Sequence, residues 1–146
     1  MSQTIAVAAD HGGFELKAIL KEELIARGHP VLDLGTDGPG SVDYPDFAAA
    51  MARAIRDRKA AAGILMCGTG IGISIAANRY PEIRAALVHD AFTARMARLH
   101  NDANVLVFGG RTIGVEIAKD CLAIFLDTEF EGGRHARRVA KLNSTA

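Results

Sequence analysis

Short apolar runs alternate along this chain with longer stretches whose apolar residues recur at helical spacing, and that alternation constrains the fold more than any other feature. The first run, residues 5–9, ends at Asp10-His11-Gly12-Gly13. Residues 14–27 then carry Phe14, Leu16, Ile19, Leu20, Leu24 and Ile25 as one apolar stripe, which Gly28 stops. The same reading predicts strands at 31–34, 62–66, 84–88 and 104–108, and helices over 47–58, 71–79, 91–99 and 112–126. A polar, glycine-rich loop runs from Asp37 to Pro45, and a basic tail with helical character covers 132–142. Strands alternating with helices in this way predict a five-stranded parallel sheet covered on both faces. If the strand order is 2-1-3-4-5, the switch point lies between the first and third strands. Ligands of such sheets sit there, outside the strands' carboxyl ends. Asp10 and His11 would then meet the segment Cys67-Gly68-Thr69-Gly70-Ile71-Gly72.

Bulk properties exclude several classes. A chain of 146 residues without linker, repeat or low-complexity segment suits one domain spanning 1–146. Seventeen basic and seventeen acidic residues balance, so neither nucleic acid nor an anionic membrane is expected as the main partner. Two cysteines, Cys67 and Cys121, make no disulfide framework. Residues 1–5 lack the features of a secretory leader, and no stretch approaches the roughly 20 apolar residues of a membrane span. The expectation is a soluble, cytoplasmic domain.

The segment Cys67 to Gly72 carries the chemistry. Strand, glycine turn and helix together expose backbone N–H groups and a helix's positive end to an anion. The same field favours the thiolate of a cysteine at the mouth of the turn. Competing motifs fail on spacing. A dinucleotide fingerprint beginning at Gly68 needs a glycine where Ile73 stands, and a phosphate-cradling loop ending in Gly-Lys-Ser/Thr is absent. A cysteine phosphatase needs an arginine at that same Ile73. No histidine or carboxylate cluster has metal-ligand spacing, so no metal site is expected.

Three motifs, taken together and in order, resemble the ribose-5-phosphate isomerase B family, which includes galactose-6-phosphate and allose-6-phosphate isomerases. They are Asp10-His11-Gly12-Gly13, the run from Cys67 to Asn78, and His100-Asn101-Asp102-Ala103-Asn104, supported by Gly109-Gly110-Arg111 and Glu131-Gly132-Gly133-Arg134-His135. The resemblance covers nearly the whole chain. It implies a Rossmann-like three-layer α/β/α sandwich and an aldose–ketose isomerase without metal or cofactor. It also implies assembly as a homodimer or a dimer of dimers. Ribose 5-phosphate and ribulose 5-phosphate are the expected pair. The alternatives are allose 6-phosphate, galactose 6-phosphate or a tetrose phosphate, a non-catalytic sugar-phosphate-binding module, and a nucleotide-binding domain.

Roles follow from the resemblance residue by residue. Cys67 is the expected base, because the family's other branch places a glutamate where this chain has Ile73. Thr69 moves protons between sugar oxygens, or caps the following helix, and His100 opens the sugar ring. The backbone of Gly68, Gly70, Ile71 and Gly72 forms an oxyanion site. Arg134 and Arg138, one helical turn apart, hold the phosphate with help from His11 and Arg111. Asp10, Tyr44 and Asn101 complete substrate binding. Core packing is the expectation for Cys121, and His135 receives no firm role. His100 and Asn101 precede a strand, so they belong at the sheet's amino edge, opposite Cys67. Active sites shared between subunits follow from that placement.

Overall fold

The computed structural model describes residues 2–144. Its strands are β1 (Ile5–Ala9), β2 (Val31–Asp33), β3 (Ala62–Cys67), β4 (Ala85–Leu87) and β5 (Val105–Gly109). Its helices are α1 (Phe14–Ala26), α2 (Tyr44–Arg56), α3 (Ile71–Ala77), α4 (Ala91–Leu99), α5 (Val115–Asp127) and α6 (Arg134–Asn143). All strand pairings are parallel. Side chains alternate across the sheet as a two-residue period requires. Ile5, Val7, Ile64, Met66, Leu106 and Phe108 pack on one face with α1, α4 and α5. Ala6, Ala8, Leu65, Cys67, Val105 and Val107 pack on the other with α2 and α3.

The strand order is β2-β1-β3-β5-β4, which corrects the order 2-1-3-4-5. Burial supplies the reason. Every residue of β5 is buried, as an interior parallel strand requires, whereas the three residues of β4 are only half-buried and suit an edge. The switch point between β1 and β3 is unaffected. Two helix starts also differ. Helix α2 begins at Tyr44, with Asp43 extended and Pro45 in the first turn, where proline's missing N–H costs nothing. Helix α5 begins only at Val115, because Gly114 is extended.

A buried ion pair anchors the edge at β2. Lys17, on α1, is almost wholly buried, and its Nζ donates to Asp33 Oδ1 at 2.6 Å. Lys21 donates to the other oxygen at 3.1 Å, and the amide of Gly35 donates to Oδ1 at 2.9 Å. Burial alone would raise the Asp33 carboxyl, but these donors and the Lys17 charge bring it below its ordinary value. Asp33 thus fixes the start of the loop that leads to Val42, whose amide donates to His11 Nδ1.

Candidate active site

Three loops meet at the carboxyl ends of β1, β3 and β5. The amide of Asp10 donates to Met66 O at 3.2 Å, that of Gly110 to Cys67 O at 2.8 Å, and that of Arg111 to Gly68 O at 3.0 Å. The packing is backbone on backbone: a Cβ at Gly12 would stand 2.7 Å from the nitrogen of Gly68. The two loops expected to converge therefore do, and a third, carrying Arg111, closes over them.

Cys67 ends β3 and is buried. Its Sγ accepts the amide of Gly70 at 3.2 Å. Gly70 is in the left-handed region with φ of 76°, and a Cβ there would lie 2.5 Å from Leu87 Cδ1 and 2.9 Å from the Phe108 carbonyl carbon. Only glycine can make the turn that points this amide at the sulfur. Thr69 Oγ1 accepts the amide of Ile71 at 3.2 Å, which is a helix-start contact and leaves the hydroxyl proton free for donation. Two of the loop's amides are thus turned to Cys67 and Thr69. Ile73 is fully buried in the same core cluster as Cys67. It offers only hydrocarbon to that cluster.

Polar groups stand on the loops around the thiol. Asp10 is buried, and its Oδ1 accepts the amide of Gly12 at 2.8 Å, holding its own loop. His11 Nδ1 accepts the amide of Val42 at 3.2 Å, which leaves Nε2 to carry the ring proton. Tyr44 lies across Gly72, where a Cβ would be 2.6 Å from Tyr44 Cζ and 2.9 Å from its hydroxyl. Arg111 lies over Gly68, with Nη1 at 3.3 Å from a Cβ built there.

His100 is elsewhere. It caps the carboxyl end of α4, before β5 begins, and Asn101 beside it is exposed. Cys67 pairs with Gly109 at the far end of β5, while Gly63 pairs with Val105 at its start. Four residues of rise put the two ends about 13 Å apart. Among the described residues, His100 meets the tail instead. Its ring stacks on His135 with centroids 4.0 Å apart and planes 11° apart. The amide of Glu131 donates to Leu99 O at 3.1 Å, and its carboxylate stands 3.8 Å from His100 Nε2. Arg134 and Arg138 share helix α6 with His135, so the tail's cations travel with His100 and not with Cys67. Arg98 fixes this end, donating to Asp102 Oδ1 at 2.9 Å, to Ala103 O at 2.7 Å and to Thr128 O at 3.0 Å.

Glu131 and His135 are the residues that sequence reasoning passed over. His135 is buried, its Nε2 has no hydrogen-bond partner, and burial followed by the neighbouring His100 holds its imidazole below the ordinary value. The one signal was their place in Glu131-Gly132-Gly133-Arg134-His135. The fold brings ligand atoms of His100, Glu131 and His135 within 4.8 Å of one another, a grouping that no metal-ligand spacing in the chain marks. Chain spacing could not show this, because the three come from separate elements. Cys121 is buried among apolar groups, which push its thiol up to about 11, in keeping with core packing. A cavity of about 700 Å³ also opens at the amino ends of β4 and β5, lined by Tyr80, Arg84, Asn101 and Leu142 among others. It is remote from Cys67 and holds no candidate base.

Comparison with known proteins agrees with this fold. The family model described as Ribose/Galactose Isomerase matches residues 5–142. Ribose-5-phosphate isomerase B of Escherichia coli is 44% identical over 140 residues, covering 96% of this chain and 94% of that protein. D-erythrulose-4-phosphate isomerase of Pectobacterium atrosepticum is also 44% identical over 140 residues, covering 95% of this chain and 92% of its own. A crystal structure of a ribose 5-phosphate isomerase from Thermotoga maritima superposes with a TM-score of 0.97 at 50% identity, over 99% of this chain and 100% of that one. The family match over residues 5–142, relatives of 44–50% identity along nearly the whole chain and the shared parallel-sheet fold place the chain in the ribose/galactose isomerase family of aldose–ketose isomerases.

Proposed function

We propose that this protein interconverts ribose 5-phosphate and ribulose 5-phosphate, in a homodimer whose two active sites each draw on both subunits. The observation that carries the reading is Cys67 Sγ held by the Gly70 amide beside Thr69, with Ile73 buried where a rival base would stand. In the proposed reaction, His100 takes the proton of the anomeric hydroxyl and delivers one to the ring oxygen, so the C1–ring-oxygen bond breaks and the aldehyde forms. The Cys67 thiolate removes the proton from C2, leaving an enediolate for which the amides of Gly68 and Gly72 remain, since those of Gly70 and Ile71 are turned to Cys67 and Thr69. Thr69 transfers the O2 proton to O1, and Cys67 returns its proton to C1. The product is the ketose, with no net gain or loss of atoms.

Shared sites are supported by the opposite placement of the two halves. A two-fold axis that brings one subunit's His100 to its partner's Cys67 does so twice. Ile71 and Ile75 stand one turn apart on α3, beside the Cys67 loop, and are 54% and 58% exposed. A subunit covering that face would bury them. On this reading Arg111 and His11 come from the subunit that supplies Cys67, and Arg134 and Arg138 come with His100 from the other. Asp10, Tyr44 and Asn101 bind sugar hydroxyls. No helix among the described residues is long and apolar enough to cross a membrane. Both thiols are free, which suits a reducing cytoplasm.

The 44% identity to a D-erythrulose-4-phosphate isomerase supports a four-carbon substrate as the second reading. A panel of four-, five- and six-carbon aldose phosphates separates the two. Ribose 5-phosphate is expected to show the highest kcat/KM, by tenfold or more, equivalent to about 1.4 kcal/mol of transition-state binding. Activity should be unchanged after chelation. Preference for the tetrose phosphate would replace the first reading with the second, and saturable binding without turnover would leave only a binding module.

A further inference from the structure

We infer that His100, Glu131 and His135 form a site for one divalent transition-metal ion, of the zinc or cobalt class, whose occupation withdraws His100 from the sugar. Two imidazoles and one carboxylate are a donor set such ions accept, and one that magnesium and calcium do not prefer. His135 is the fixed member. It is 5% exposed, and its Nε2 is buried without a partner, so a lone pair or N–H there lacks the bond that buried polar groups normally make. The other two donors are movable, with side chains 38% exposed at His100 and 54% at Glu131.

The separations are close to those of a bound state. Metal–nitrogen and metal–oxygen bonds of about 2.0–2.2 Å place tetrahedral ligand atoms about 3.4 Å apart. Here all three ligand atoms lie within 4.8 Å, so the exposed side chains must move inward to close the site. The stacked rings decide which one turns. A metal must lie in the plane of each imidazole it binds, and face-to-face rings 4.0 Å apart cannot both meet that condition. His135 is held by burial, so His100 must leave the stack. Metal capture and the stacked pose are therefore exclusive. Arg134 and Arg138, on the same helix as His135, oppose the ion's charge and set an affinity well short of a structural zinc site. The functional half of the inference rests on the reading of His100 as the ring-opening group.

Titration calorimetry of the chelator-treated full chain with zinc, and the visible spectrum with cobalt, test the site. One ion per chain is expected, with binding weakened tenfold or more in Glu131→Gln and in His135→Phe, which keeps an aromatic face for the stack but removes the nitrogen. Binding should persist in Cys67→Ala. Wild-type affinity in both ligand variants, loss of binding in Cys67→Ala, or no binding at all would overturn the site. Activity separates the second half. Erythrose 4-phosphate cannot close a five-membered ring, because its 4-oxygen carries the phosphate. Zinc should therefore inhibit turnover of ribose 5-phosphate at least tenfold more than turnover of erythrose 4-phosphate. Equal inhibition of both, with the binding pattern intact, would leave the metal site standing and contradict the ring-opening role.

Discussion

Cys67→Ala is expected to lower kcat/KM for ribose 5-phosphate by about a thousandfold, within the 10²–10⁴ range that removal of a positioned base produces. The loss should fall on kcat. On the proposed reading, phosphate and hydroxyl contacts come from other residues, so KM should stay near the wild-type value. The magnitude depends on the absence of a substitute. Ile73 offers only methyl and methylene groups, and Asp10 is occupied by the Gly12 amide. Steady-state assays in both directions check this, with circular dichroism confirming the fold. Turnover within a few-fold of wild type would remove the thiol from the base role.

Asp33→Ala has the largest expected effect on stability. The substitution leaves the Lys17 ammonium buried without a partner, and breaking a buried pair from one side costs about 3–5 kcal/mol. Asp33 itself is 23% exposed, which favours the lower end, and Lys21 at 39% exposed adds little. Replacing Lys17 by methionine in the same chain should recover most of the loss, because no buried charge then remains. Urea unfolding of the two variants gives both numbers. The pH dependence has a definite sign. Asp33 titrates lower in the folded chain than its ordinary 3.8. Its contribution is therefore complete above about pH 4–5 and is lost as pH falls through the lowered folded value. Wild type should lose stability across that acid window, and Asp33→Ala should show a flatter profile there. A parallel acid limb in both proteins would show that the pair does not contribute as described. The same substitution frees Gly35 and loosens the loop reaching Val42, so a rise in KM through His11 is expected alongside.

How much of this was legible in the chain depends on how local each feature is. Strand β1 and helix α4 end where their apolar patterns end, at residues 5–9 and 91–99. The glycine turn after Cys67 was readable because a left-handed residue, a thiol and a helix start are adjacent in sequence. The placement of β5 inside and β4 at the edge was not, since both runs are apolar and only their lengths and burial in the fold distinguish them. Tyr44 and Pro45 resemble a loop until proline is allowed for at a helix's first turn. The contact of His100 with His135 and Glu131 depends on where a distant tail docks, and no period or spacing encodes that. Opposition of His100 and Cys67 was legible for a simple reason: one precedes its strand and the other ends one.

On the proposed reading, one active site needs Cys67 from one subunit and His100 from another. Mixing Cys67→Ala with His100→Ala chains, each inactive alone, tests it most directly. After subunit exchange at equal amounts, half the dimers are mixed and each has one intact site, so about one quarter of wild-type activity should return. No recovery, with mixed dimers demonstrated by mass spectrometry, would contradict the shared site.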